Sequence, residues 1–313
     1  MLRLASSLRA RHFFGPSYLP YCRLGLRSLS STHGGRYSKG TVELSYTSII
    51  PEDGNATSKP LVILHGLFGS KRNWISICKA LHRDMPHRPI YALDMRNHGT
   101  SPHTTPHTYQ AMAEDVHKFI EDKGLSQVAL LGHSMHSALS QLIVVDIAPS
   151  IGKLSAEFQQ YTSAMQQIEA LPFGAIKTRT DADKRLREYE PDLSIRQFLL
   201  TNLQLPGQSH DQADAKAKFI VPLDILSNSI DELGSFPYKY DSEQKPVDVT
   251  WDGPTLVYKG TQSAYINHKN IPALEAFFPN MRMEELDTGH WVHAEKPTEF
   301  RKILVSFLDE TSR

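Results

Sequence analysis

The sequence predicts an α/β protein: a mostly parallel sheet with helices on both faces and a helical insertion. Three observations carry this. Short apolar runs recur at Leu61-Val62-Ile63-Leu64, at 89–93, at Val128-Ala129-Leu130-Leu131 and at Leu142-Ile143-Val144-Val145, and all-apolar runs of that length suit strands covered on both faces. Segments with helical spacing of apolar residues alternate with them, as in βαβ architectures. Between 151 and 247 the strand-like runs stop and amphipathic helix patterns take over.

Taken in order, residues 42–50 alternate apolar and polar side chains and read as an entry strand, and Pro51-Glu52-Asp53-Gly54-Asn55 is a turn. The run at 61–64 leads into the loop His65-Gly66-Leu67-Phe68-Gly69-Ser70. A helix over 73–81 gathers Trp74, Ile75, Cys78 and Leu81 on one side. The strand at 89–93 ends in Asp94-Met95-Arg96-Asn97-His98-Gly99-Thr100-Ser101. A helix over 109–123 places Met112, Val116, Phe119 and Ile120 at helical spacing, and Gly124 stops it. Within the insertion, Phe158, Tyr161, Met165 and Ile168 share a face; about 95 patterned residues are too many for a structureless loop. Leu256-Val257-Tyr258 resumes the sheet, 282–286 gives a last strand, and Phe300, Ile303, Leu304, Phe307 and Leu308 mark the closing helix. The expected division is a core of 42–150 and 248–311, a helical lid of 151–247, and 1–38 outside the fold.

The 313 residues carry 34 basic and 34 acidic side chains, unevenly placed. Residues 1–42 hold seven of the basic ones (Arg3, Arg9, Arg11, Arg23, Arg27, Arg36 and Lys39) and no acid, which leaves 27 basic against 34 acidic for the rest. A body without a basic surplus indicates no nucleic-acid partner. Two cysteines, Cys22 and Cys78, give neither a disulfide framework nor a metal-ligand cluster. No apolar run approaches the roughly 20 residues of a membrane span. The N-terminal stretch is rich in Arg and Ser, with Leu2, Leu4, Leu8, Phe13 and Phe14 interspersed. That composition predicts a mitochondrial transit peptide, cleaved near Arg27-Ser28-Leu29-Ser30-Ser31, and a matrix location; the alternative is a basic tail.

The chemistry centres on Gly132-His133-Ser134-Met135-His136, directly after the apolar run at 128–131. It is four-fifths of a Gly-x-Ser-x-Gly nucleophile elbow, in which a serine sits on a tight strand-to-helix turn above a sheet. A serine hydroxyl needs a base, a carboxyl group to orient that base, and donors for the oxyanion. Ser134, Asp146 and His290 occur in the chain order this arrangement takes, each just past an expected strand. The backbone N–H groups of Leu67 and Met135 are the expected oxyanion donors. His65 reads as a structural histidine supporting its loop rather than a catalytic one. Asp252 precedes its strand and is the weaker choice of acid. Asp94 to Ser101 does not match metal-ligand spacing and reads as a hydrogen-bonded turn. His293 reads as a neighbour of the base, and the charged run from Lys177 to Glu190 as a solvated helix face. Neither a metal nor a resident cofactor is expected.

Several of these stretches carry a resemblance. His65-Gly-Leu-Phe-Gly-Ser-Lys-Arg-Asn-Trp74, Asp94-Met-Arg-Asn-His-Gly-Thr-Ser-Pro-His103, Gly132-His-Ser-Met135, Val145-Asp-Ile-Ala-Pro149, Arg196-Gln-Phe-Leu-Leu-Thr-Asn-Leu203 and Thr288-Gly-His-Trp-Val-His-Ala-Glu-Lys-Pro297 together resemble one α/β-hydrolase family. It is the group of abhydrolase domain-containing protein 11 and the yeast mitochondrial ethanol acetyltransferases, and the match spans about residues 42–310. The resemblance implies a mitochondrial serine esterase, thioesterase or acyltransferase. Acetyl-CoA or another acyl thioester would be a substrate, and water or an alcohol the acceptor. It also maps the acid to Asp146.

The departure lies at the elbow. The family continues Gly-His-Ser-Met-Gly-Gly, then a helix, then the Val-Asp strand. Here the stretch from Ser134 to the run at 142 has only eight residues, 134–141, counting the serine, and a parallel crossover with its helix takes at least about 10–12. The helix after the elbow is therefore expected to be missing, leaving apolar sheet surface uncovered. The competing expectation is a catalytically inactive member of this fold, acting as a mitochondrial binding or chaperone-like partner.

Overall fold

The computed structural model describes residues 40–52, 54, 59–132, 139–149, 156–207, 216–234, 236–241, 247 and 249–310. Its strands are β1 (Tyr46–Ile49), β2 (Leu61–Leu64), β3 (Ile90–Leu93), β4 (Val128–Leu131), β5 (Leu139–Val145), β6 (Leu203–Gln204), β7 (Lys218–Phe219), β8 (Thr255–Gly260) and β9 (Met281–Leu286). Its helices are α1 (Ile75–Asp84), α2 (Tyr109–Asp122), α3 (Ala156–Ala170), α4 (Arg179–Leu186), α5 (Leu193–Leu200), α6 (Leu223–Leu233), α7 (Ile271–Phe277), α8 (Val292–Glu295) and α9 (Pro297–Glu310). Seven strands form one sheet in the order β1-β3-β2-β4-β5-β8-β9. The entry strand β1 runs antiparallel to β3, and every other pair in that sheet is parallel. The short strands β6 and β7 pair separately.

Side chains alternate across a strand, so each apolar run feeds two layers. Leu61, Ile63, Ala129, Leu131, Ile143, Leu256 and Tyr258 face α1 and α9, where Leu81, Phe300 and Leu304 are fully buried. Val62, Leu64, Val128 and Leu130 face α2 through Val116, Phe119 and Ile120. Leu142, Val144 and Val257 face α7 through Ala273, Leu274 and Phe277. Each such fully buried aliphatic or aromatic side chain stabilises the fold by about 1.5–3 kcal/mol.

One expectation is sharpened and another overturned. β5 starts at Leu139, three residues before the expected Leu142, which leaves six residues, 133–138, between Gly132 and β5. The helix expected to be missing falls on those residues, which lie outside the described ones. The sheet beside them is not bare, contrary to expectation: Val128 to Leu131 and Leu142 to Val145 are all buried. On the Leu130 and Leu142 face, α2 covers β4 and α7 covers β5.

The insertion builds its own core from Tyr161, Met165, Ile168, Leu186, Leu199, Phe219 and Leu226. Local sequence sets its helix starts. Thr178 and Asp181 form a reciprocal capping box at α4, and the Asp192 side chain caps α5 by accepting from the Ser194 and Ile195 amides. The charged run from Lys177 to Glu190 is largely solvated, but its ends are not all so. Glu190 is buried, where it accepts from the Tyr161 hydroxyl and from the Asp192 amide at 2.6 Å.

Asp94 to Ser101 is the hydrogen-bonded turn the sequence indicates. Lys71 N donates to Asp94 Oδ1 at 2.7 Å, Thr100 N donates to Oδ2 at 2.9 Å, and the Lys71 ammonium lies against Oδ2. Burial pushes the Asp94 carboxyl up, but Lys71 and the two amides outweigh it and hold the group below its usual range. A side chain at Gly99 (φ +56°) would meet the Asp94 carboxyl carbon at 2.2 Å, so this turn requires glycine. Arg96 makes a bidentate, fully buried pair with Asp115, at 2.5 and 2.7 Å, and donates to the Pro106 carbonyl at 2.7 Å. Arg96→Ala strands the Asp115 charge in the interior, so urea denaturation should show a loss of about 3–5 kcal/mol. Replacing both partners with apolar residues should recover most of it.

Candidate active site

The parallel register brings the C-terminal ends of β2, β4, β5, β8 and β9 to one edge of the sheet. Asp146 is the first residue beyond β5. It is completely buried in the left-handed region (φ +46°), which a short polar side chain tolerates better than most. Its own amide donates to the Tyr258 carbonyl of β8 at 2.8 Å. Its Oδ1 accepts from the Gly260 amide at 3.0 Å; its Oδ2 accepts from the Ser263 hydroxyl at 2.5 Å and sits 2.8 Å from His290 Nδ1. A carboxylate can only accept from that ring nitrogen, so Nδ1 carries a proton, and in the neutral ring Nε2 is the nitrogen with the lone pair. The ring is stacked on Tyr265, centroids 4.1 Å apart, and edge-on to Trp291 at 6.0 Å. It remains 26% exposed.

Close backbone approach makes this pairing. A side chain at Gly260 would meet the Gly289 carbonyl oxygen at 2.2 Å and that of Thr288 at 2.8 Å. Glycine at 260 thus lets the His290 loop lie directly on the end of β8. Gly289 N donates to Glu295 Oε2 at 2.9 Å and fixes the loop from its other side. Asp252 lies before β8, at the opposite edge of the sheet; the six residues of β8 span about 20 Å. It therefore does not meet His290.

After β2 the chain makes a turn closed by Gly69 N donating to the Gly66 carbonyl at 3.0 Å, with Phe68 in the left-handed region (φ +60°). Two buried histidines brace it. His65 Nδ1 is 2.8 Å from the Gly66 carbonyl, and its Nε2 accepts from Met95 N at 3.0 Å. His98 Nδ1 is 3.0 Å from the Arg96 carbonyl, and its Nε2 accepts from Phe68 N at 3.2 Å. Each ring therefore donates from Nδ1 and accepts at Nε2, which requires the neutral form. Burial lowers the His65 pKa; burial and then the adjacent His65 ring hold His98 well below the usual histidine range. His65 is thus structural, as its sequence context indicates. Leu67, between these residues, is half-buried, and its N–H donates to no described residue.

Gly132 (φ +140°) is the first residue beyond β4, and its amide donates to the Ile143 carbonyl at 2.9 Å. A side chain there would meet the Leu64 Cβ and carbonyl oxygen, each at 2.8 Å, so β2 and β4 leave the sheet shoulder to shoulder. Ser134, Met135 and His136 lie outside the described residues. His293 is half-buried, stacked 4.2 Å from Trp74, and desolvation of its ring pushes it down to about 4. Among the described residues no group of three or more His, Cys, Asp or Glu could hold a metal ion, and no helix is long and apolar enough to cross a membrane.

Of the residues expected at the site, the structure brings Asp146 and His290 together and sets Leu67 on the same sheet edge. Ser263, Tyr265, Gly260 and His98 were not among them. The signal for Gly260 and Ser263 was their position at the end of a strand and in the loop after it, a stretch without a carboxylate. That for His98 was the second His-Gly pair, in Asn97-His98-Gly99.

A family model described as the alpha/beta hydrolase fold matches residues 59–297. The chain is 35% identical over 271 residues to an sn-1-specific diacylglycerol lipase ABHD11 of Danio rerio, covering 82% of this chain and 80% of that one. It is 33% identical over 294 residues to a "Probable alcohol acetyltransferase" of Saccharomyces cerevisiae, covering 86% and 84%. A solved "Marine microorganism esterase" superposes with a TM-score of 0.71 at 30% identity, covering 85% of this chain and all of that one. The chain belongs to the α/β-hydrolase family, whose relatives here act on esters or acyl groups.

Two outcomes follow from this geometry. Gly260→Ala should displace the His290 loop and lower the thermal midpoint. Acid should also destabilise the fold: His107 and His293, both with pKa values pushed down to about 4 mainly by burial, are neutral when folded, and protonate below about 6.5 when unfolded. Their contribution is therefore complete above pH 6.5 and falls, by up to about 1.4 kcal/mol per histidine per pH unit, as pH drops towards 4. Urea midpoints from pH 7.5 to 4.5 would register it.

Proposed function

We propose that the chain is a serine-dependent hydrolase or acyltransferase acting on carboxylic esters or thioesters. The observation that carries this reading is the Asp146–His290 pair at 2.8 Å, with His290 Nε2 bearing a lone pair at the partly open edge where β4 ends. Ser134 follows Gly132 by two residues, within about 7 Å of chain. In this reading His290 Nε2 takes the Ser134 hydroxyl proton as Oγ attacks the acyl carbonyl. The N–H groups of Leu67 and Met135 hold the resulting oxyanion. The tetrahedral adduct expels the alcohol or thiol, which leaves with the proton from His290. Water or an alcohol then gives its proton to His290 and attacks the acyl-serine; the adduct breaks its bond to Ser134 Oγ, which takes the proton back from His290, and acid or ester is released. Asp146 holds the tautomer throughout and favours the imidazolium that forms transiently. No resident cofactor is needed; an acyl-CoA such as acetyl-CoA would enter as substrate. The acid-free residues 1–42 support a mitochondrial, matrix location.

Six residues between Gly132 and β5 favour a second reading: a non-catalytic member of the fold that binds a protein partner. Fluorophosphonate labelling separates the two. Labelling of the wild type, abolished by Ser134→Ala, supports the enzyme; its absence in folded protein supports the binding reading. In-frame sequence between the codons for Met135 and Leu139 in the transcript, restoring Gly-Gly and a helix, would remove the basis for the second reading. For an active chain, Asp146→Asn should lower kcat about 10³–10⁴-fold with the fold retained, the cost of the wrong His290 tautomer.

A further inference from the structure

The motif Arg196-Gln-Phe-Leu-Leu-Thr-Asn-Leu203 supplies no group to the chemistry proposed above, yet two of its polar residues are buried. Arg196 anchors the start of α5: it donates to Asp183 Oδ1 at 2.7 Å and to the Glu190 and Pro191 carbonyls at 2.9 and 2.7 Å. Asn202, two residues past the end of that helix, reaches out of the insertion. Its Nδ2 donates to the Phe68 carbonyl at 2.8 Å, and its own carbonyl accepts from Ile220 N at 2.8 Å, beside β7.

We infer that Asn202 is a positioning residue through which the helical insertion holds the turn after β2 in shape. The inference rests on the reading of Leu67 N–H as an oxyanion donor. Phe68 occupies the left-handed region (φ +60°), which is unfavourable for a residue with a Cβ. Something outside the turn must hold it there. Its N–H is pinned by His98 from the core and its carbonyl by Asn202 from the insertion. Its ring is 1% exposed within the insertion's core, 6.1 Å from Phe158. With the Asn202 pin gone, Phe68 relaxes towards ordinary negative φ, the Gly66–Gly69 turn opens, and the Leu67 N–H turns with it. The insertion thus carries a structural share of the oxyanion site and does more than cover it.

The test uses the full chain and compares wild type with Asn202→Ala and with Tyr161→Phe. The latter removes the insertion's own Tyr161–Glu190 hydrogen bond and leaves the Phe68 peptide alone. Amide hydrogen exchange of peptides covering 65–70 should rise about tenfold in Asn202→Ala, as expected for one buried hydrogen bond lost, and stay at the wild-type rate in Tyr161→Phe. With p-nitrophenyl acetate, kcat should fall about tenfold in Asn202→Ala while KM stays within about twofold, the signature of an interaction made in the transition state. If Asn202→Ala does not fold, Asn202→Ser carries the same comparison, since its short hydroxyl bonds back to the preceding turn instead of reaching Phe68. Wild-type exchange at 65–70 in a folded Asn202 variant, or an equal rise in Tyr161→Phe, overturns the inference. A wild type without turnover sinks the enzymatic reading instead, and the exchange comparison still decides the clamp.

Discussion

The Asp146 side chain is the point on which the active edge of this sheet depends. A carboxyl group taken wholly out of water must have its oxygens satisfied, or the cost of burying it is several kcal/mol. Here the partners come from three places: the Gly260 amide at the end of β8, the Ser263 hydroxyl in the loop beyond it, and His290 in the loop after β9. Its amide is tied to the Tyr258 carbonyl as well. One residue therefore locks the exits of three adjacent parallel strands together. The left-handed backbone at Asp146 and the side-chain-free approach at Gly260 are what that lock requires.

The other half of the edge is held differently. The turn after β2 has no comparable buried charge; it is braced by two imidazoles used as neutral donor–acceptor bridges, His65 and His98, and by an amide from the insertion. Neutral rings suit that role because a protonated ring could not accept from a backbone N–H. Beneath them, the Arg96–Asp115 pair and the Asp94 turn fix the loop after β3, from which His98 projects. Polar groups are concentrated where strands end and loops must be rigid, and the strand middles are left to apolar packing.

This division explains what could be read from the chain. The strands at 61–64, 90–93 and 128–131 are all-apolar runs bounded by turn residues, and period alone finds them. Asp146 was legible because it follows such a run, and His290 because it follows a glycine in the loop after the last expected strand. The start of β5 was not: Leu139-Ser140-Gln141 mixes polarity, and Gln141 is completely buried in the strand, a placement set by its neighbours and not by its hydropathy. The burial of Glu190 was hidden for a similar reason. Its partner hydroxyl on Tyr161 lies 29 residues away, and no local pattern shows that separation. Asn202 likewise has meaning only through Phe68, 134 residues earlier.

The short link between β4 and β5 weighs differently on the fold and on the chemistry. For the fold it is absorbed. Parallel strands need only register and covered faces, and both are present: Leu131 pairs with Ile143, and α1, α2, α7 and α9 cover the apolar rows on either side. Among the described residues, the bonds that hold Asp146 and His290 come from β5, β8, β9 and their loops. In the proposed reading, what the length of that link governs is the approach of Ser134 to His290, whose position is already set by its pairing with Asp146. In the proposed reading, acid, base and one oxyanion turn are built by the sheet and the insertion, and competence turns on a single placement, that of the serine hydroxyl relative to His290 Nε2.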